Sequence, residues 1–149
     1  MTTETEAFLA EILPRQRAAE RSIHDGDPEP RLALWSHTDP VTLYGANLTG
    51  SGWNELEPMF REVASWFSDS AEYEFEVIAA AASGDVAYTV GYERNRVTVN
   101  GEERTYTLRA THAYRREAGE WRIVHRHADY PPEGQEPPLS AAPTDPGQG

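Results

Sequence analysis

"THAYRREAGEWRIVHRHADY", residues 111–130, contains two runs with the alternation and the aromatic and β-branched content of strands. Between them lies "EAG", a turn sequence. A two-residue loop at Ala118-Gly119 needs positive φ at Ala118, which alanine disfavours. A three-residue loop, 117–119, with Gly119 left-handed is therefore expected. That loop pairs Arg116 with Glu120, Tyr114 with Arg122 and His112 with Val124. It also sets Thr111 opposite His125, Ala110 opposite Arg126 and Arg109 opposite His127.

Strand side chains alternate, so His125, His127 and Asp129 share one face, each ~6.6 Å from the next. Two histidines and a carboxylate have the composition of a facial metal triad. Arg109, a permanent cation, falls on the same face and repels a metal ion. The expectation is no metal, and a polar sheet surface covered by a partner. Arg122, Val124, Arg126 and Ala128 fall on the other face. There they join Tyr106, Leu108, Ala110, His112 and Tyr114, and a matching set from the preceding run: Val86, Tyr88, Val90, Tyr92 and Arg94. This face should meet the helices. A buried Arg126 needs a carboxylate, from a helix glutamate for instance, or a ligand. His112 among tyrosines suits proton transfer near neutral pH.

Working outward, "EYEFEVIAAAA" and "DVAYTVGYERNRVTV" are two more strand-like runs. "SGD" and "NG" separate them from their neighbours, as hairpin turns do. Residues 3–24 read as a helix with Phe8, Leu9, Ile12 and Leu13 as its apolar stripe. Pro14 should kink or restart it. "RLALW" reads as a short second helix, "PVTLYGA" as a short strand and "NLTGSGW" as a loop. Ser51 is placed to cap a third helix from Trp53 to Phe67. Helices first and a meandering sheet afterwards make an α+β domain. Residues 1–131 form that single domain, and 132–149 a disordered acidic tail rich in Pro and Gly.

The chain has 149 residues, 25 acidic and 13 basic, and a net charge of −12. Nucleic acid and anionic membranes are poor partners for such a surface. Without cysteine there is no disulfide and no thiolate chemistry. Neither a signal peptide nor a ~20-residue apolar span is evident, so a cytoplasmic location is expected.

The runs "WSHTDPVTLYGA", "GWNELEPMFREVASWF", "GDVAYTVGYER" and "LRATHAYRREAGEWRIVHRHAD" resemble the SnoaL-like branch of the nuclear transport factor 2-like superfamily, which includes ketosteroid isomerases and polyketide cyclases. The resemblance covers about residues 5 to 131. It implies a cystatin-like fold, a cone-shaped antiparallel sheet wrapped around the helices, with a small-molecule pocket at its mouth. It also implies a homodimer packed through the outer sheet face, at His125, His127 and Arg109. The isomerase carboxylate corresponds to Tyr44 here. The pocket arginines of the calcium/calmodulin-dependent kinase association domain correspond to Val90, His112 and Ala128. Neither of those mechanisms transfers.

The expected function is binding of a small, largely apolar molecule. Isomerisation, cyclisation or hydrolysis would follow by general acid–base catalysis without a cofactor. His112 is the expected proton-transfer residue. Tyr44, Trp53, Tyr88, Tyr92, Tyr114 and Arg126 are the expected substrate contacts. The alternative is a non-catalytic ligand-binding or dimeric assembly module. Trp35 and Trp66 read as core, Asp39 as a turn starter, His24 as a helix-terminal cation, and Glu72, Glu74 and Glu76 as a solvated edge.

Overall fold

A computed structural model describes residues 1–137. The elements are α1 (Thr3–His24), α2 (Glu29–Leu34), β1 (Thr42–Tyr44), β2 (Thr49–Ser51), α3 (Trp53–Trp66), β3 (Phe67–Ser83), β4 (Val86–Val99), β5 (Glu102–Glu117) and β6 (Glu120–Asp129). The six strands form one sheet in the order β2-β1-β6-β5-β4-β3. All neighbours are antiparallel except β1 and β6. Residues 131–137 follow β6 without helix or strand, and the rest of the expected tail lies outside the described residues.

Helix α1 lies against the inner face of the sheet, chiefly on β3. Its buried stripe recurs every four residues: Phe8, Ile12, Gln16, Glu20, His24. The first half is apolar and joins Leu34, Trp35, Leu56, Phe60, Tyr114 and Trp121 in the main core. The second half is polar, and it shapes the functional site. The helix runs through Pro14 without the expected restart. Burial of the stripe on both sides of Pro14 outweighs one missing backbone bond.

The start of α3 departs from expectation. Gly52, at φ +88°, is its N-cap, and no side chain of that residue can cap it. Asp39 accepts the Trp53 amide at 2.9 Å instead. Glu55 reaches back to the Ser51 amide at 2.9 Å. "NLTGSGW" also contains a strand, β2, which pairs with β1.

Two of the sheet's register shifts decide which residues face inward. In β3 the register shifts between Val77 and Ala79, opposite Gly91 and Val90. A bulge of this kind bends and twists its strand. Gly91 permits the close approach. A Cβ there would lie 2.1 Å from the Glu76 carbonyl oxygen and 2.7 Å from the Phe75 ring.

The second irregularity corrects the hairpin register. The turn at Ala118-Gly119 is the two-residue form after all, with φ of +50° and +80°. It pairs Glu117 with Glu120 and Tyr114 with Ile123. A shift between Ala113 and Tyr114 then pairs His112 with Arg126. Trp121 and Ile123 therefore face the core near the turn in place of Arg122, while Val124, the extra residue at the shift, packs against the same core partly buried. Beyond the bulge the inward residues are Arg126 and Ala128, as expected. Burial of Trp121 and Ile123 offsets the strained alanine.

Strand β4 shows the opposite face from the one expected. Ala87, Thr89, Glu93, Asn95 and Val97 are buried, while Val86, Tyr88 and Val90 are exposed. Apart from Val97, the large apolar side chains buried or exposed on this strand lie on the outer face. The rest of the inner face is made of small and polar groups because Gly91 must admit the bend and Glu93 must meet Arg126.

Gly91→Ala should destabilise the fold by about 1–3 kcal/mol or more, since a methyl would collide with backbone. Chemical denaturation of the variant checks this. An unchanged midpoint would show that the bend does not depend on the close approach.

Candidate functional site

A cavity of about 640 Å³ opens between the sheet and the helix ends. Pockets for small organic ligands run from roughly 300 to 1,000 Å³, so this one admits a bicyclic or tricyclic molecule. Leu43 of β1, the 45–48 loop, and Val63, Trp66 and Phe67 at the end of α3 form one wall. Val99, Asn100 and the first half of β5, including Tyr106 and Leu108, form the other. His24, Arg31 and Arg126 contribute the charged and titratable groups at the α1, α2 and β6 side.

Arg126 is held by a chain of alternating charges. Its Nη1 and Nη2 donate to the two carboxylate oxygens of Glu93, at 2.8 and 2.7 Å. Its Nη1 lies 3.3 Å from Glu20 of α1. Glu20 in turn accepts from Arg31 Nε at 3.1 Å and from Arg31 Nη2. All four side chains are buried. Their formal charges cancel, which is the condition for keeping ions out of water. The Tyr73 hydroxyl donates to Glu93 at 2.7 Å. Burial favours a protonated Glu93, but Arg126's charge and hydrogen bonds outweigh it and hold the carboxyl below its ordinary range. Burial would likewise discharge Arg126, yet Glu93 and Glu20 keep it a cation.

His112 stands behind this pair. Its Nε2 lies 3.1 Å from Arg126 Nη1. Arginine has no acceptor, so Nε2 accepts and Nδ1 carries the proton. Burial first, and Arg126's charge second, push the His112 pKa down to about 3. The ring is neutral throughout the neutral range. It props Arg126 against Glu93 and does not line the cavity.

The SnoaL-like domain model matches residues 17–132. The chain belongs to the SnoaL-like family. Solved structures agree on the fold. A candidate dehydratase of the nuclear transport factor 2-like family from Streptomyces avermitilis superposes with a TM-score of 0.68 at 17% identity, covering 85% of this chain and 97% of that one. A nuclear transport factor 2-like protein with a cystatin-like fold, from Novosphingobium aromaticivorans, gives 0.64 at 17% identity, over 87% and 86%. A candidate ketosteroid isomerase from Parabacteroides distasonis gives 0.62 at 13% identity, over 82% and 86%. No curated protein matches the sequence.

Within this SnoaL-like fold, the residues singled out from sequence scatter. Arg126 lines the cavity. Tyr114 is sealed in the core, where its hydroxyl meets Gln16 and Thr89. Trp53 stacks on His37 at 4.0 Å, away from the cavity lining. Tyr88 is 45% exposed on the outer face, because β4 turns its even-numbered residues outward. Tyr92 lines a shallow outer groove with Arg109 and His127. Tyr44 is also exposed, its ring edge-on to His125 and His127 at 5.5 and 5.7 Å. Adjacent Leu43 takes the inward position on β1. Trp66, read as core, lines the cavity instead.

The His125, His127 and Asp129 face is engaged in protein contacts. Asp129 takes a two-point ion pair from Arg109, at 2.8 and 2.9 Å. His125 Nδ1 is 2.7 Å from the Thr42 hydroxyl. No group of three possible metal ligands occurs among the described residues. No helix there is long and apolar enough to cross a membrane.

Glu20, His24, Arg31 and Glu93 were not singled out from sequence as site residues. His24 is also no terminal cation. It is buried, and that burial lowers its pKa below the ordinary value.

The histidines set a pH dependence with a definite sign. A folded-state pKa of about 3 for His112, against 6.5 ordinarily, means the neutral form stabilises the fold. That stability is complete above pH 6.5 and is lost as the pH falls from 6.5 toward 3. His24 acts in the same direction. Between pH 6.5 and 4.5, before most carboxylates titrate, His112 should contribute up to about 1.4 kcal/mol per pH unit. His112→Gln should reduce this slope by about one proton, measured by denaturation at several pH values. An unchanged slope would mean His112 is not a buried neutral group.

Proposed function

We propose that this SnoaL-like protein binds a small molecule in the 640 Å³ cavity, a largely apolar body bearing a carbonyl or carboxylate. The observation that carries this reading is the pair of buried arginines in the cavity wall, Arg126 and Arg31. After the bonds to Glu93, Glu20 and His112, Nε of Arg126 and Nη1 of Arg31 have no acceptor among the described residues. Two fixed cationic donors beside walls of Leu43, Val63, Trp66, Tyr106 and Leu108 suit a ligand with one oxygen-bearing end.

The reaction class we infer is acid–base rearrangement or elimination, of the isomerase, cyclase or hydrolase kind, without a cofactor. Arg126 and Arg31 would stabilise negative charge developing on the substrate oxygen. The fold shared with a candidate dehydratase and a candidate ketosteroid isomerase is compatible with such chemistry. His112 acts as a positioning residue for Arg126 in this reading.

We also propose that a second copy of the chain covers the outer face. Ile78, Val86, Tyr88, Val90 and Tyr44 leave an exposed apolar surface there, beside the Arg109–Asp129 ion pair. Patches of this kind on a folded chain mark association surfaces. Val90→Arg should convert a dimer to a monomer in sedimentation velocity without lowering thermal stability of the monomer itself. A wild-type monomer at micromolar concentration would contradict the dimer.

Ligand binding is tested by thermal shift with a set of aryl and alicyclic carboxylates and ketones. Stabilisation is expected, and Arg31→Gln should weaken binding about 10- to 100-fold, the value of a hydrogen bond to a charged group. No stabilisation by any of them would favour the non-catalytic assembly module.

A further inference from the structure

We infer that His24 is the proton-transfer residue of this cavity, acting on a carbon acid whose adjacent carbonyl oxygen rests against Arg126 and Arg31; this rests on the ligand reading proposed above. His24 lies one turn beyond Glu20 on α1, on the same buried stripe. Glu20 holds both arginines, so the spacing of four places the imidazole beside them. The ring lines the cavity. Phe67 packs edge-on against it at 4.7 Å, and Tyr73 is 6.1 Å away. These rings fix its plane without engaging its nitrogens.

His24 Nδ1 is covered by protein and has no hydrogen-bond partner among the described residues. Nδ1 is covered, so Nε2 is the nitrogen left to meet the cavity. No carboxylate or carbonyl among the described residues pins the tautomer, unlike His112, whose Nε2 is occupied by Arg126. The imidazole is thus free to exchange a proton with a bound molecule.

The electrostatics agree. Burial lowers the His24 pKa, with Arg31 and Arg126 acting in the same direction and Glu20 and Glu93 against them. The ring is a neutral base at pH 7, next to two cations that oppose its protonation. In the step inferred, the substrate C–H bond breaks and an N–H bond forms at Nε2. The electron pair moves to the carbonyl oxygen, giving an enolate held by the two guanidinium groups. His24 then returns a proton, the original one or one exchanged with solvent, to a carbon of the enolate or dienolate, so no co-reactant is needed.

The test uses deuterium exchange, which requires no knowledge of the natural substrate. Phenylpyruvate, an anionic enolisable carbonyl compound, and 2-tetralone, a neutral one, are incubated with the full chain in deuterium oxide. Binding is followed by ligand-observed NMR, and exchange of the protons beside the carbonyl by loss of their signals. The wild type should bind at least one probe and exchange its protons faster than buffer. This exchange should be half-maximal below pH 6.5, where His24 becomes neutral. His24→Gln should bind within a few-fold of wild type and exchange at least 100-fold more slowly. Binding with full exchange in His24→Gln overturns the role of His24 and leaves the cavity reading intact. Failure of wild type to bind either probe overturns both.

Discussion

The two-point ion pair between Arg126 and Glu93 is the interaction around which the rest of the inner face is organised. Burying two charges is expensive, and apolar replacements of similar volume are often as stable or more so. The pair is therefore poor evidence of a stability device. It does hold a guanidinium charged and fixed inside a cone, with Nε turned away from its protein partners. Everything near it serves that end. Tyr73 donates to Glu93, His112 accepts from Arg126, and Glu20 links Arg126 to Arg31 so that the charges cancel. The molecule accepts an electrostatic burden where a ligand would be polarised.

The backbone makes room for this arrangement. The bulge opposite Gly91 bends β3 and β4 around α1, and Glu93 follows Gly91 by two residues on the same inner face. The shift between Ala113 and Tyr114 changes the phase of β6, so that Trp121 and Ile123 pack in the core while Arg126 still points inward beside His112. Without that shift, a two-residue turn would send Arg126 outward with His125 inward. Local strain at Ala118 and the bulge thus resolve two competing demands on one hairpin.

Much of the fold was legible from alternation and turns. The four strand runs, the three helices and the α+β order follow from patterns that tertiary structure respects. The inward placement of Arg126 and His112 was legible too, although through a register that is shifted by two residues. The errors share a physical cause. On β4 the apolar residues were taken as inner, but a curved sheet with a polar cavity and a sticky outer surface inverts that rule. Tyr88 and Tyr92 left the site for this reason. The polar stripe of α1 was missed because Gln16, Glu20 and His24 break the amphipathic pattern. Their spacing of four from Phe8 and Ile12 was the available signal. Glu93 was hidden for the same reason: a buried Arg126 requires a carboxylate, but the expected phase of β4 put Glu93 outside, and β5 lies between β4 and β6.

The account stands or falls on strong coupling within the buried pair, with little net stability from it. A double-mutant cycle with Glu93→Leu, Arg126→Met and the combined variant, read by urea denaturation, measures this directly. Each single change should lose about 3–5 kcal/mol, because it strands an uncompensated buried charge. The combined variant should lose far less than the sum, leaving the Glu20–Arg31 pair intact and the fold close to wild-type stability. Additive losses would show that Arg126 and Glu93 do not depend on each other, and the cavity would lack the fixed cation on which the proposed function rests.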